Sequence, residues 1–192
     1  MIFSRLVTNF DQLIAAAGDS NIHHVILASA TSPNYSTISR GFLAEAAAYG
    51  HEKQLRVDAF ISAPNDKAFI FNDHEIKLME ADVFAAQSLG IDGVILNAIN
   101  PNNQLDISSL EQLSSAAGGM EVSLGWSIDE LPESKQAEAF KWAAENNIEH
   151  IYSRRLSSQL LDSDKNKMIV PVLKSKDDLS ATKANFNQIL IG

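Results

Sequence analysis

One stretch of the chain, Glu80 to Asp106 (EADVFAAQSLGIDGVILNAINPNNQLD), restricts the fold more than any other. Apolar positions at helical spacing run through Val83 and Ala86, and Gly90 closes the helix. Two residues later the unbroken apolar run Val94-Ile95-Leu96 begins, ending in Asn97 and the turn residues Asn100-Pro101-Asn102-Asn103. A strand with no alternating polar face must be covered on both sides. That is the pattern of a buried parallel sheet, with the preceding helix as one of its covers.

The same pattern recurs along the chain. Strands are predicted at Ile2 to Thr8, His24 to Ala28, Arg56 to Ser62, Val94 to Ile99, Glu121 to Ser127, His150 to Arg154, Met168 to Leu173 and Gln188 to Ile191. Helices are predicted over Asp11 to Gly18, over Ile38 to Tyr49 with Gly50 as the stop, and after an N-cap at Asp73. Two more run from a cap at Asp106 or Ser108 to Gly118-Gly119, and from Pro132 to Asn146-Asn147. Alternation at roughly 20 to 30 residues per unit predicts a parallel α/β fold. An open doubly wound sheet usually carries a glycine-rich phosphate loop after its first strand, whereas this chain has Asn9-Phe10-Asp11-Gln12 there. About eight strands favour closure, so the expected fold is a (β/α)8 TIM barrel, small and lacking some outer helices because the links after the sixth and seventh strands are short. With 192 residues, a single domain over 1–192 is expected.

Charge and composition exclude several functions. The formal net charge of -9 repels phosphate backbones and anionic lipid, so neither nucleic acid nor membrane is an expected partner, and Arg154-Arg155 is too small a basic spot to reverse that. The absence of cysteine removes disulfides, zinc-thiolate sites and thiol nucleophiles. With no apolar run near the ~18 residues of a membrane span and no export leader in MIFSRLVTNFDQ, a soluble cytoplasmic protein is expected.

Candidate site residues follow from the barrel expectation, because functional groups of such barrels sit at the C-terminal ends of strands. Asp58, alone among apolar neighbours, is a candidate catalytic carboxylate together with Asp129. The competing reading of Asp58 is a structural ion pair with Arg56, Lys174 or another barrel residue, since an unpaired buried carboxylate is costly. Trp126 and Tyr152 are candidates for an aromatic wall, with Asn97, Asn100 and Ser127 as neutral hydrogen-bonding groups and Arg154 and Arg155 as anion contacts. Packing in the core is the alternative for these residues. Lys174, at the end of the seventh strand, adds positive charge, and Asn65 and Asp66 belong to the same rim. The five histidines, His23, His24, His51, His74 and His150, show no i, i+4 pair, and no metal site is expected from them. The chain has no G-x-S-x-G elbow, P-loop or dinucleotide fingerprint.

The run GIDGVILNAINPNNQLDISSLEQLSSAAGGMEVSLGWSID resembles the CutC copper homeostasis family, in which a glycine-acid-glycine turn feeds an apolar strand, a proline turn, a helix and a further strand. FISAPNDKAFIFNDHEIKLMEADVFAAQSLG stands where that family has an arginine-proline-arginine loop followed by Phe-x-Tyr and an acidic helix. The resemblance implies a (β/α)8 barrel, a part in copper homeostasis, and copper as the one cofactor to consider, none being expected from the residues themselves. The polar residues depart from the family. Its two loop arginines are replaced in Ser62-Ala63-Pro64, its His-Arg pair becomes Gly125-Trp126 with only Asp129 kept, and its Thr-Ser-Gly segment becomes Ser153-Arg154-Arg155. A divergent CutC-like protein of unestablished molecular activity is therefore the leading expectation, with catalysis left open and a non-catalytic role preferred. Two rivals stand beside it: a lyase- or isomerase-like barrel enzyme acting on a small anionic metabolite, and a non-catalytic scaffold or binding protein that self-associates as a homodimer.

Overall fold

The computed structural model describes residues 2–31, 34–155, 168–174 and 186–192. Eight strands are wholly parallel: β1 (Ile2–Val7), β2 (Ile22–Leu27), β3 (Arg56–Ile61), β4 (Gly93–Leu96), β5 (Glu121–Leu124), β6 (Ile151–Ser153), β7 (Ile169–Leu173) and β8 (Gln188–Ile191). Each pairs with its neighbours in chain order, and β1 pairs with both β2 and β8, which closes the barrel. Closure leaves no edge strand to be blunted or covered. The expected short links after β6 and β7, and with them the missing outer helices, fall on residues 156–167 and 175–185, outside the described residues.

Among the described residues five helices pack outside: α1 (Phe10–Ala17), α2 (Arg40–Glu52), α3 (Asp73–Ser88), α4 (Ile107–Ala117) and α5 (Glu133–Glu145). Their starts are written in polar side chains. Asn9, Ser39 and Asp106 accept from the backbone N–H three residues on, and Asn72 and Glu75 form a reciprocal capping box on α3. The cap of α3 is thus Asn72, one residue before the expected Asp73. Helix α2 also runs through Gly50 instead of stopping there. A Cβ at Gly50 would strike the Val57 side chain, so this glycine serves the close approach of α2 to β3 and does not end the helix.

The strands end earlier than expected where a polar segment takes over. β4 stops at Leu96 and β5 at Leu124, and residues Trp126–Glu130 form a 3-10 turn. A small antiparallel ribbon, Ser29–Ala30 with Tyr35–Ser36, stands on the C-terminal side of β2. The core includes Val25, Leu27, Ala59, Phe60, Ile95 and Leu96, each at most 1 % exposed, together with helix residues such as Leu13, Met79, Val83 and Leu110. The Gly90-Ile91-Asp92-Gly93 turn joins α3 to β4 through specific contacts. Gly90 takes φ +78 at the helix end, and the Asp92 carboxylate accepts from the Val57 N–H at 2.7 Å and pairs with His51 at 3.0 Å. A Cβ on Gly93 would lie 2.6 Å from the Arg56 guanidinium and 2.8 Å from the Asp58 carboxylate.

Candidate functional site

Polar side chains collect at both ends of the barrel. At the N-terminal end, here the floor, Asp58 is only 2 % exposed and accepts from Arg56 through Nε at 3.0 Å and Nη2 at 3.1 Å. His24 Nε2 lies 3.0 Å from the other side of the same carboxylate, and Arg56 is also ion-paired with Glu121. His24 Nδ1 contacts the Ser4 hydroxyl and the Gln188 amide, both at 2.9 Å, and that amide donates to Ser4 Oγ at 2.8 Å. His24 Nε2 is within ion-pair distance of Asp58 without forming an aligned hydrogen bond to it. Strands β1, β2, β3, β5 and β8 are tied together by this network. Burial pushes the Asp58 carboxyl up, but His24 and then Arg56 overcome it and hold the group below the usual carboxylate range.

Of the two readings of Asp58, the geometry matches the structural ion pair, with Arg56 and the unforeseen His24 as partners. A carboxylate saturated at the floor is also far from the strand ends where barrels do chemistry. The period of two along β2, which puts His24 on the face of Ile26 and Ala28, was the available signal for His24. Tyr152 belongs to this end as well. Its ring packs edge-on to His150 at 6.3 Å, and burial pushes its hydroxyl pKa far up, which leaves it neutral beside Gln188. It therefore shares no wall with Trp126. His150 is pushed down, chiefly by burial.

At the C-terminal end, here the mouth, Trp126 stacks on Phe60 with ring centres 4.7 Å apart, and Tyr35 from the ribbon meets it edge-on at 5.7 Å. The Arg154 guanidinium carbon lies 4.0 Å from the Trp126 ring centre and 5.6 Å from that of Tyr35. The backbone of Arg154 is fixed by Asp129, whose Oδ2 accepts its N–H at 2.7 Å while Oδ1 accepts the Ser153 hydroxyl at 2.6 Å. Burial raises the Asp129 carboxyl above its ordinary value, and the bonds from Ser153 and Arg154 offset only part of that rise. Both of its oxygens are engaged, so Asp129 acts on the mouth by placing Arg154. Arg155 turns away, donating to the Asp129 carbonyl at 3.4 Å.

A cavity of about 500 Å³ opens here, with Leu6, Val172 and Leu173 as its apolar side and Tyr35, Arg154 and Lys174 as its polar side. Among the described residues, neither cation makes an ion pair, and no acidic side chain lines the cavity. Behind it Asn97 accepts from the Ser127 N–H at 3.0 Å, and Gly125 has no Cβ because the Asn97 amide occupies that space. The Asn97 amide nitrogen, the Trp126 indole nitrogen and the Ser127 hydroxyl are buried without a partner among the described residues. Asn100 sits elsewhere. It organises its own turn and lines an outer cavity with Trp142, between α4 and α5. Asn65 bonds within its own loop and Asp66 is exposed. Tyr35 was missed because its turn-rich surroundings carry no periodicity.

Copper, raised by the resemblance, finds no matching ligand set among the described residues. No group of three or more His, Cys, Asp or Glu side chains is placed to hold a metal ion. There is no thiolate, His24 and His51 are engaged with Asp58 and Asp92, and His23 and His74 stand on the surface. No described helix is long and apolar enough to cross a membrane.

The CutC family model matches residues 5–181. A CutC family protein of Enterococcus faecalis is 30% identical over 116 residues, which are 60% of this chain and 55% of that protein. Its counterpart in Streptococcus pyogenes is 33% identical over 109 residues, 57% of this chain and 49% of the relative. The matched part of the chain thus spans about half the length of these curated relatives. Among solved structures, a Streptococcus agalactiae protein described as copper homeostasis protein CutC superposes with a TM-score of 0.88 at 21% identity, covering 99% of this chain and 97% of that one. An aldolase, QR15, gives 0.67 at 11% identity over 100% and 89% of the two chains, a likeness of fold alone. The barrel, the glycine-acid-glycine turn and the match over nearly the whole length lead to one conclusion: this chain belongs to the CutC family.

Proposed function

We propose that the chain takes part in copper homeostasis, the role named for its Streptococcus agalactiae relative, and that its molecular activity is the binding of a small anionic ligand at the barrel mouth. One observation carries this reading: Arg154, held against Trp126, lines the same cavity as Lys174, and among the described residues no carboxylate lines that cavity or forms an ion pair with either cation. A stacked guanidinium keeps its in-plane N–H donors for a planar or tetrahedral oxyanion. The cavity lies within the range of small-molecule sites. Copper ion binding through a resident centre has no support in the described side chains, so copper would be handled through that ligand or through other proteins.

Thermal unfolding in the presence of phosphorylated and carboxylated compounds, with copper titration in parallel, tests the proposal. A ligand at about 100 times its Kd stabilises by roughly 2.7 kcal/mol, about 5 to 10 °C for a domain of this size. No anion-dependent rise, or tight stoichiometric copper binding by the metal-free protein, would overturn it.

A second reading, a barrel enzyme acting on the same anion, is favoured by one feature: the raised Asp129 carboxyl next to Arg154. Turnover that disappears in Asp129→Asn while ligand affinity stays unchanged would support catalysis. Equal loss of affinity would mark Asp129 as a positioning residue. Exposed Ile14, Leu78 and Phe84 on the outer helices make self-association as a homodimer part of the proposal, to be read by sedimentation.

A further inference from the structure

We infer that the ligand of the mouth is an amphiphilic dianion, a phosphate monoester carrying an apolar body, an inference that rests on the anion-binding reading above. The head group follows from charge. Arg154 and Lys174 line one cavity to which, among the described residues, no acidic side chain contributes, so a single negative charge leaves one cation unmatched, and a dianion matches both. The two cations also differ usefully. Arg154 is anchored through its backbone by Asp129 and through its guanidinium by Trp126 and Tyr35, which makes it a fixed, flat contact. Lys174 is an exposed, flexible point charge at the end of β7. A tetrahedral head with several acceptor oxygens serves both geometries at once, whereas a planar carboxylate satisfies the Arg154 fork and leaves the ammonium to water.

The body follows from the rest of the lining. Leu6 from β1 and Val172 and Leu173 from β7 give the same cavity its apolar lining, and a cavity of about 500 Å³ is several times larger than an inorganic phosphate requires. An apolar group placed there removes surface from water on both partners, a gain that a bare ion cannot make. The Tyr35 ring lines the same cavity, backed edge-on by the buried Trp126, and suits a flat hydrocarbon.

Calorimetric titration of the full chain with phenyl phosphate, inorganic phosphate and benzoate separates the parts. Phenyl phosphate is expected to bind about tenfold or more tightly than either of the others, the ring adding burial and the second charge adding its own contact. Arg154→Met and Lys174→Met, both at exposed positions, should each weaken phenyl phosphate about tenfold without changing the far-UV circular dichroism. If inorganic phosphate binds as well as phenyl phosphate, the apolar body is wrong while the anion site stands. Should benzoate match phenyl phosphate, the dianion is wrong and the anion site again stands. If none of the three binds, or if neither substitution alters binding, this inference and the reading beneath it both fall.

Discussion

The two ends of the barrel use similar residue types in opposite ways. At the floor, Asp58 is bonded by Arg56 and faced at ion-pair distance by His24, Arg56 is also paired with Glu121, and His24 is held by Ser4 and Gln188. At the mouth, Arg154 rests on rings and Lys174 has no ion pair among the described residues. Buried polar atoms without a hydrogen-bond partner among those residues occur at both ends, at Asn97, Trp126 and Ser127 in the mouth and at His24, His150 and Tyr152 in the floor, so it is the charges that distinguish the two. Charges whose partners are supplied by neighbouring strands hold a register together. Charges with none are left for something that arrives from outside. The inverted pKa directions follow the same division: partners hold the Asp58 carboxyl low, while burial keeps Asp129 high.

Breaking the floor should have the largest effect on stability. Asp58→Asn keeps the volume but removes the charge that buried His24 and half-buried Arg56 face, while Arg56 keeps its ion pair with Glu121. With one partner still paired and partly solvated, the expected cost is about 3 kcal/mol, the low end of the range for breaking a buried pair. Urea unfolding measures it, and a loss under about 1 kcal/mol would mean that the network is solvated and the contrast between the ends is false. Next come the glycines that make room at each end. Gly93→Ala puts a methyl against the Arg56–Asp58 pair, and Gly125→Ala puts one into the Asn97 amide, each costing about 1 to 3 kcal/mol. The Gly93→Ala cost should shrink in an Asp58→Asn background, and the Gly125→Ala cost should not, because only the first pair of residues touches.

Much of the scaffold could be read in advance for a physical reason. Uninterrupted apolar runs such as Val94-Ile95-Leu96 require two covers, and capping side chains such as Ser39 and Asp106 act on the next few residues, so both signals are local. The errors came where the deciding contact was distant in sequence. Gly50 reads as a helix stop until Val57 is seen against it. Asp58 reads as a catalytic candidate until His24 arrives from another strand, and Tyr152 seems to belong with Trp126 until the strand turns it toward His150. The mouth was half legible. Arg154 could be picked from its place at a strand end, but nothing in Arg154-Arg155 says that one side chain enters the cavity and the other bonds the Asp129 carbonyl.

The pH dependence of stability should carry both signs. Asp58, held low, contributes stability that is present above about pH 4 and is lost as pH falls through its depressed folded value. His150, pushed down by burial, likewise contributes fully above about pH 6.5 and loses its share as pH falls below that. Asp129 runs the other way: its contribution is present below about pH 4 and is lost as pH rises through its elevated folded value. Urea midpoints from about pH 3 to 8, compared with those of Asp58→Asn and Asp129→Asn, should show the acid-side loss flattened in the first variant. In the second, the difference from the parent should shift in the opposite direction. The same sign in both variants would mean that the floor and mouth carboxylates share one environment.

The smallest stability change is expected at the residue most important for ligand. Arg154→Met removes a cation lying on Trp126, a contact worth about 0.5 to 1 kcal/mol at an accessible position. Burial disfavours the Arg154 charge and offsets the attraction from Asp129 and Glu130, so the urea midpoint should move little, although the charge removed is equal in size to that removed in Asp58→Asn. In added phosphate the parent should gain stability and Arg154→Met should not, because only the parent keeps the paired cations that the anion bridges. A loss of several kcal/mol without any anion present would mean that Arg154 already has its partner within the fold, and the mouth would then be a second floor.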